Sequence, residues 1–495
     1  MARPPQPELP AWKKLAFSAP ALVLFFGLAE LALYLAGVPA VLEREDPFRG
    51  FSGLVSVFER RGDVYTSDRP ANAETFNTQT FLAEKPANGL RVFCVGGSSA
   101  YGFPWGAEAA FCAILGDLLR AAHPELAIEA VNAAGISYAS HRLRILVREL
   151  LRYDPDLLVV YGGHNEFVEK RFHRSLRARA ETLGRLQHLL HRSRVHGALH
   201  ALLARPRRGP PGAAAGDLPG IRVQRDFAEP LDPVERAELE AFFAENLGAI
   251  ARMAAARGVR VVLCTVAPNL RDWKPQRAPS WPLLPEGARR EWEAHVAAAA
   301  AALDADAPAA AAARLEAAVA IAPRDGPSWF LLGRAYEGLE RPDEARRAYL
   351  RALEFDLDPS RATEGINRAI RAVAAREGAL LVDIEERFAR LSPHGIVGFE
   401  WIEDYVHPTR EGHEEIAFAV WQALRGAGLP AAASSAHRQD DLRLFSEIVR
   451  ARRALPVASE HTPTYLYNQG MVLANQGRWE EARARFEAGL ELRPG

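Results

Sequence analysis

Short apolar runs alternate with amphipathic helical patterns through the middle of the chain. Five runs have the character of buried strands: 91–95, 127–131, 157–161, 259–264 and 379–384. The polar and apolar spacing between them predicts helices at 107–122, 140–152, 233–256 and 362–376. Continuous apolar strands separated by helices indicate a parallel sheet covered on both faces. We therefore predict a doubly wound, flavodoxin-like α/β fold with a five-stranded parallel sheet.

The first apolar stretch, residues 15–38, has a different character. Its only acidic residue is Glu30, and about 20 apolar residues are enough to span a bilayer. Lys13 and Lys14 precede the stretch, and acidic residues follow it at positions 43, 45 and 46. The positive-inside rule then places the amino terminus in the cytoplasm and the rest of the chain outside. We expect an uncleaved, single-pass membrane anchor, with a buried helix of a soluble domain as the alternative.

Residues 169–208 interrupt the α/β pattern with a segment rich in Arg and His and almost free of acidic residues. Its histidine pairs have helical spacing, but no acidic residue or cysteine accompanies them. A solvated basic helix face is therefore favoured over a metal site. A basic amphipathic helix could also lie on anionic lipid headgroups, which we keep as a hypothesis.

An internal repeat forms the second interruption. Small and aromatic residues recur with the same spacing in two segments, as Gly333, Ala345 and Tyr349 and again as Gly470, Ala482 and Phe486. This pattern resembles the 34-residue tetratricopeptide repeat, in which small residues lie where two helices touch. Residues 292–325 look like a degenerate first repeat, and coincidental helical hairpins are the alternative. The resemblance implies binding of a protein or peptide partner.

These patterns divide the chain into six segments. We predict an anchor at 1–40, a connecting segment at 41–89, an α/β domain at 90–290 and 360–428, inserted repeats at 291–359, and a linker with a last repeat at 429–495.

Charge and cysteine content exclude several classes of function. The chain has 61 Lys and Arg against 62 Asp and Glu, which argues against wholesale nucleic-acid binding. Its three cysteines are widely scattered and fit neither a disulfide framework nor a zinc site. We predict no metal, no cofactor and no nucleic-acid partner.

The most informative stretch is RVFCVGGSSAYG at 91–102. Its strand breaks into Gly96 and Gly97 and then presents Ser98 and Ser99. Glycines allow another backbone to approach closely, and open α/β sheets place their chemistry at the carboxyl ends of strands. A phosphate-binding turn is the alternative, but no P-loop lysine follows.

Polar residues also follow the other predicted strands. The set comprises Gly135, His164, Asn165, Glu166 and Asn269, with Asp404 and His407 in the loop before the last helix. A serine hydroxyl needs a histidine base, and the histidine needs a carboxylate to orient it. Backbone N–H groups and a side-chain amide could stabilise an oxyanion. These residue types together indicate acyl transfer.

The four segments around Ser98, Gly135, Asn165 and His407, in this chain order, resemble the four sequence blocks of the SGNH (GDSL-type) hydrolases. The resemblance implies Ser98 as nucleophile, with Ser99 as the alternative, His407 as base and Asp404 as its partner. It also implies an oxyanion hole made by the Ser98 N–H, Gly135 and Asn165.

The chain departs from the family pattern at two positions. Gly97 stands where Asp is common before the serine. Glu166 stands where Asp commonly ends the segment that contains Asn165. Together with His164 and Asn269, these two residues are our candidates for substrate contacts.

The predicted function is a membrane-anchored serine esterase facing the exterior or periplasm. Its substrate would be an ester-bearing small molecule, lipid or glycan. One alternative is an O-acyltransferase or deacetylase that modifies a cell-surface polysaccharide. The other is a scaffold whose repeats bind a partner and whose α/β domain is catalytically silent.

Overall fold

The computed structural model describes residues 20, 24–33, 35–36, 56–69, 72, 75–168, 193–195, 231, 233–275, 284–357, 359–430, 438–454, 462–475 and 477–492. They belong to two compact units, Met1–Val55 with Arg174–Val223, and Ser56–His173 with Gln224–Gly495.

The first unit contains a helix over residues 24–33 that carries exposed apolar side chains. The Glu30 carboxylate accepts hydrogen bonds from the N–H groups of Arg194 at 2.8 Å and Val195 at 3.2 Å. Among the described residues, no helix has both the length and the apolar character needed to cross a membrane. The described residues therefore do not support the predicted transmembrane helix. The rest of the predicted anchor, and most of the basic segment 169–208, lie outside them.

A five-stranded parallel sheet forms the centre of the second unit, which confirms the predicted sheet. Its strands are β4 (Gly89–Gly96), β5 (Ala127–Asn132), β6 (Leu157–Tyr161), β7 (Arg260–Cys264) and β8 (Leu380–Val382). Their order is β5-β4-β6-β7-β8, and every neighbouring pair is parallel. The chain reverses its direction of travel across the sheet between β4 and β6. Open α/β sheets bind ligands at such a switch point.

The helices around the sheet form two packed groups, as two covered faces require. They are α1 (Ser98–Tyr101), α2 (Phe111–Ala122), α3 (Ser140–Leu150), α4 (Pro233–Ala255), α9 (Glu364–Glu377), α10 (Ile384–Leu391) and α11 (Arg410–Gly426). Helix α2 packs against α11, and α4 packs against both α3 and α9. Every residue of β6 is buried, which explains its uninterrupted apolar sequence.

Part of the predicted connecting segment is folded. Three strands of three residues each form a small antiparallel sheet: β1 (Glu59–Arg61), β2 (Val64–Thr66) and β3 (Thr80–Leu82). The ring of Phe81 contacts Phe93 of β4, with 5.4 Å between the ring centroids. Strands this short carry too few positions for a periodic pattern, so the sequence did not predict them.

The inserted helices lie between β7 and β8. They are α5 (Glu286–Asp304), α6 (Pro308–Ile321), α7 (Gly326–Gly338) and α8 (Pro342–Glu354). Leu315 of α6 and Leu332 of α7 belong to one buried cluster with Ala299 of α5. Near the carboxyl terminus, α12 (Arg438–Arg453) is followed by the hairpin α13 (Pro463–Asn475) and α14 (Trp479–Glu491).

Candidate functional site

A tight turn at the end of β4 places Ser98 at the first residue of α1. A Cβ atom on Gly96 would collide with the Tyr161 carbonyl of β6, and one on Gly97 would collide with the amide nitrogen of Asn165. Position 96 therefore has no room for a side chain, and a side chain at position 97 would have to displace the Asn165 amide. The Asn132 side chain donates to the Ala100 carbonyl at 3.1 Å and ties α1 to the end of β5. The glycine at position 97 thus has a local reason, which is the close approach of Asn165.

The structure brings Ser98, His407 and Asp404 together. Nε2 of His407 lies 2.8 Å from the Ser98 hydroxyl oxygen, and Nδ1 lies 2.6 Å from Oδ2 of Asp404. The other carboxylate oxygen accepts the N–H groups of Val406 at 2.8 Å and His407 at 2.9 Å. These contacts form a continuous chain of hydrogen bonds from the serine to the carboxylate.

The pKa values of Asp404 and of its neighbour Glu403 are shifted in opposite directions, for different physical reasons. Burial alone would raise the pKa of Asp404, but the charge and hydrogen bonds of His407 and the N–H of Val406 outweigh burial and lower it. Burial, with the charges of Asp404 and Glu411, raises the pKa of the neighbouring Glu403 to about 8. One of the two adjacent carboxyl groups is thus held ionised, and the other is held neutral at neutral pH.

Hydrogen bonds from several parts of the fold hold the loop that carries Asp404 and His407. The five carbonyls of residues 404–408 accept, in order, from Nδ2 of Asn269 (2.9 Å), the Asn269 N–H (3.1 Å), the Ser99 hydroxyl (3.0 Å), the Glu403 N–H (2.8 Å) and Nε1 of Trp105 (3.2 Å). Ser99 is 3% exposed and bonded to this loop, so it faces away from the position of an incoming substrate.

The three predicted oxyanion donors differ in availability. The Gly135 N–H already donates to the Gly96 carbonyl at 3.1 Å, so the structure does not place it as a free donor. Asn165 uses one amide hydrogen on the Tyr138 carbonyl at 3.2 Å and can donate a second. The Ser98 N–H begins a helix and has no intrahelical partner.

Three residues predicted to contact substrate are enclosed instead. Glu166 accepts from the N–H and hydroxyl of Ser140, at 2.6 and 2.8 Å, and so caps the first residue of α3. His164 accepts the N–H of Ala362 at 3.1 Å, and burial with the nearby charge of His407 lowers the pKa of His164 to about 3. Asn269 is fully buried. All three are at most 4% exposed and bond to partners within the chain, so their role in substrate contact stays a prediction without support from these contacts.

Aromatic side chains form the rim around His407, and the sequence alone did not identify them. The ring centroids of Phe103 and Tyr405 lie 4.7 and 5.7 Å from that of His407. Trp105 contacts Tyr465 of α13, with 5.4 Å between the centroids. Phe103, Trp105 and Tyr405 are each half-buried. Their position a few residues from Ser98 or His407 was the only available signal.

The described parts of the chain contain no group of three or more His, Cys, Asp or Glu side chains that could hold a metal ion. The three cysteines are buried and unpaired. The histidine pairs predicted to lie on a basic helix face fall outside the described residues.

Comparison with known proteins identifies the repeats. Residues 327–358 and 463–495 match the tetratricopeptide repeat family. These two segments are tetratricopeptide repeats. No curated protein matches the chain.

Several solved structures are similar to the chain. They include TesA, at 15% identity and a TM-score of 0.30, covering 68% of this chain and 98% of that one. A GDSL-like lipase from Bacteroides thetaiotaomicron has 12% identity and a TM-score of 0.28, covering 68% and 88%. A catalytic mutant of Axe2, an acetylxylan esterase from Geobacillus stearothermophilus, has 11% identity and a TM-score of 0.33, covering 69% and 96%.

Proposed function

We propose that this chain is an SGNH-type serine esterase. The observation that carries the proposal is the continuous hydrogen-bond chain from Ser98 through His407 to Asp404. A serine with its base at 2.8 Å, and the base with its orienting carboxylate at 2.6 Å, satisfy the geometric requirement for nucleophilic acyl transfer.

The residues act in two half-reactions. His407 removes the hydroxyl proton of Ser98 as its oxygen attacks the ester carbonyl, while Asp404 stabilises the imidazolium. The tetrahedral oxyanion accepts hydrogen bonds from the Ser98 N–H and the Asn165 amide. The intermediate collapses, the alcohol leaves with the proton from His407, and an acyl group remains on Ser98. Water, deprotonated by His407, then attacks the acyl carbonyl and releases the acid.

An alcohol could replace water in the second half-reaction, which would make the chain an O-acyltransferase. The half-buried rings of Phe103 and Trp105 beside the site provide a surface on which an apolar group or a sugar ring could lie. Product analysis of the reaction with and without an added glycan distinguishes transfer from hydrolysis.

The first prediction tests the nucleophile and the base. Ser98→Ala and His407→Ala are each expected to lower kcat/KM for p-nitrophenyl acetate by about 10⁴-fold or more. A serine-directed phosphonate should label the wild-type chain at Ser98. Ser99→Ala serves as the neighbouring control and should still be labelled. Full hydrolysis by Ser98→Ala would refute Ser98 as the nucleophile, whereas a wild-type chain that neither hydrolyses the ester nor is labelled would favour the silent scaffold.

The proposal includes attachment to a membrane with the α/β domain outside the cytoplasm. Exposed apolar side chains near the amino terminus support the attachment, with Leu24, Phe25 and Leu35 at 64, 65 and 75% exposure. Large exposed apolar patches mark lipid or protein contacts. After cell fractionation the full chain should stay with membranes through a carbonate wash, and a chain lacking residues 1–40 should not. Recovery of the full chain in the soluble fraction would exclude the anchor.

A protein partner for the repeats is likewise a proposal. Its support is the repeat family itself, whose stacked helices present extended surfaces for binding.

A further inference from the structure

Asn269 contacts the catalytic loop through both its side chain and its backbone. Nδ2 donates to the carbonyl of Asp404 at 2.9 Å, and the N–H donates to the carbonyl of Tyr405 at 3.1 Å. Oδ1 accepts the Asp272 N–H at 2.9 Å. The side chain is fully buried. Asn269 therefore fixes the backbone at and beside the carboxylate that orients His407.

Arg361 holds Asn269 from the opposite side. Its guanidinium donates to the carbonyl of Asn269 and, at 2.8 Å, to the carbonyl of Trp273. Burial lowers the pKa of Arg361 to about 10, and the charge of Asp356 opposes that effect. The residue is 2% exposed yet still charged at neutral pH. A buried cation is costly unless hydrogen bonds use it, and here its bonds go to backbone behind the catalytic loop.

The inserted repeats reach the same backbone segment by packing. Leu270, the residue after Asn269, lies in one buried cluster with Tyr349 and Leu353 of α8 and with Ile396. The Leu270 N–H also donates to the Val397 carbonyl at 2.9 Å. Arg361 itself follows α8 in the chain. Residues 269–273 are therefore held from two sides by the insertion and its exit.

We propose that Asn269 and Arg361 are positioning residues for Asp404, and that the inserted repeats support the catalytic loop through them. This inference rests on the proposed function, because it gives Asp404 and His407 their catalytic roles. Catalysis depends on the Asp404–His407–Ser98 distances, and a displacement of 1 Å can cost about 10²-fold in rate. Loss of Asn269 or Arg361 should therefore lower turnover without removing any group that touches substrate.

Two matched pairs of variants test the proposal. Asn269→Ala is compared with Asn367→Ala, a residue 1% exposed whose side chain bonds to the N–H and C=O of Val266 and to the Glu385 carboxylate. Arg361→Met is compared with Arg236→Met, a residue 6% exposed that donates to the Asp356 carbonyl at 2.8 Å. For each full-length variant, kcat and KM for p-nitrophenyl acetate and Tm are measured.

We expect Asn269→Ala and Arg361→Met to lower kcat about 10- to 100-fold with KM within about twofold of the wild type. Asn367→Ala and Arg236→Met should lower Tm by comparable amounts and keep kcat within about threefold. A purely structural role for Asn269 would give the same kcat in both asparagine variants, which would overturn the inference.

A second variant covers the case in which Asn269→Ala does not fold. Asn269→Asp keeps the side-chain shape and the acceptor for the Asp272 N–H but loses the donor to the Asp404 carbonyl. Wild-type kcat in Asn269→Asp would also overturn the proposal. Ser98→Ala distinguishes failure of the proposed function from failure of the positioning role, because hydrolysis by Ser98→Ala refutes Ser98 as the nucleophile of the esterase. An inactive Ser98→Ala with a fully active Asn269→Asp refutes only the positioning role.

Discussion

The two tetratricopeptide repeats share a local structure but differ in what covers them. In both, a glycine of the first helix lies against the aromatic ring of the second. A Cβ atom on Gly333 would come within 2.7 Å of the Tyr349 ring, and one on Gly470 would collide with the Phe486 ring. Ala345 and Ala482, in corresponding positions, are both buried. The repeat sequence thus produces the same hairpin twice.

The outer faces of the two hairpins have different surroundings. In the inserted repeat, Phe330 and Leu353 pack into a cluster with Leu270 and Ile396 of the α/β domain. With Gly333 aligned to Gly470, the corresponding residues of the last repeat are Tyr467 and Leu490, which are 39 and 69% exposed. The same repeat therefore packs into the core of the α/β domain in one place and is a surface element in the other.

The last repeat is joined to the α/β domain at its edge. Tyr465 contacts Trp105, and Arg452 of the preceding helix α12 bonds to Asp117 of α2 at 2.6 Å. Helix α12 also bonds to α11 through Arg453 and Glu414 and stacks Phe445 on Phe418, whereas the inserted repeat itself shares a buried apolar cluster with the domain. We infer that stability and turnover are sensitive to the inserted repeat and largely insensitive to the outer face of the last one.

The largest expected contrast comes from placing the same charge in both repeats. Leu353→Asp would bury a carboxylate at a position that is 1% exposed and should destabilise the fold by about 4 kcal/mol or more. Leu490→Asp, at 69% exposure, should change the free energy of unfolding by less than about 0.5 kcal/mol. Urea unfolding followed by circular dichroism measures both. Equal losses of unfolding free energy in the two variants would contradict the proposed difference between the two repeats.

A smaller effect is expected from the domain side of the contact. Ile396 is fully buried beneath α8, and Ile396→Ala should cost about 2–5 kcal/mol and lower kcat by loosening Leu270. Tyr467→Ala is the control in the last repeat and should leave kcat unchanged. If Ile396→Ala kept wild-type turnover after correction for the folded fraction, the inserted repeat would not support the catalytic loop.

The smallest effect concerns pH and the same loop. Because the pKa of Glu403 rises from 4.5 to about 8 on folding, the folded chain binds a proton that the unfolded chain has released between these values. Glu403 therefore favours folding below about pH 4.5, and that contribution is lost as pH rises through about 8. Glu403→Gln should raise Tm by a few degrees at pH 8 and change it little at pH 4. Glu487→Gln, on the exposed face of α14, is the control for removing a carboxylate, and its Tm is measured under the same conditions.

The sequence was sufficient for features that depend on local pattern. Apolar runs such as 157–161 identified the central strands, because strands buried on both faces carry little else. The spacing of Gly333, Ala345 and Tyr349 identified the repeats, since helix contacts recur at fixed intervals. Ser98, His407 and Asp404 were recognisable because they lie beside strand ends or share a short loop.

Roles that depend on partners distant in the chain were beyond the sequence. Gly135, Glu166 and Asn269 follow strands of the parallel sheet, and their predicted functions assumed groups free to meet a substrate. Only the tertiary structure shows that the Gly96 carbonyl, the first residue of α3 and the Asp404 loop already use those groups. A side chain's identity limits which bonds it can make, but packing decides which partner comes within reach.

The same distinction holds for the whole chain. By itself the sequence determined the parallel sheet, the repeat hairpins and the residue types needed for acyl transfer, because each follows from local periodicity or chemistry. Only the tertiary structure shows why glycine suits position 97, why Ser99 supports the loop that carries His407, and which repeat is buried against the α/β domain. Those outcomes depend on contacts between residues distant in the chain, such as Ser99 with Val406, which no local pattern encodes.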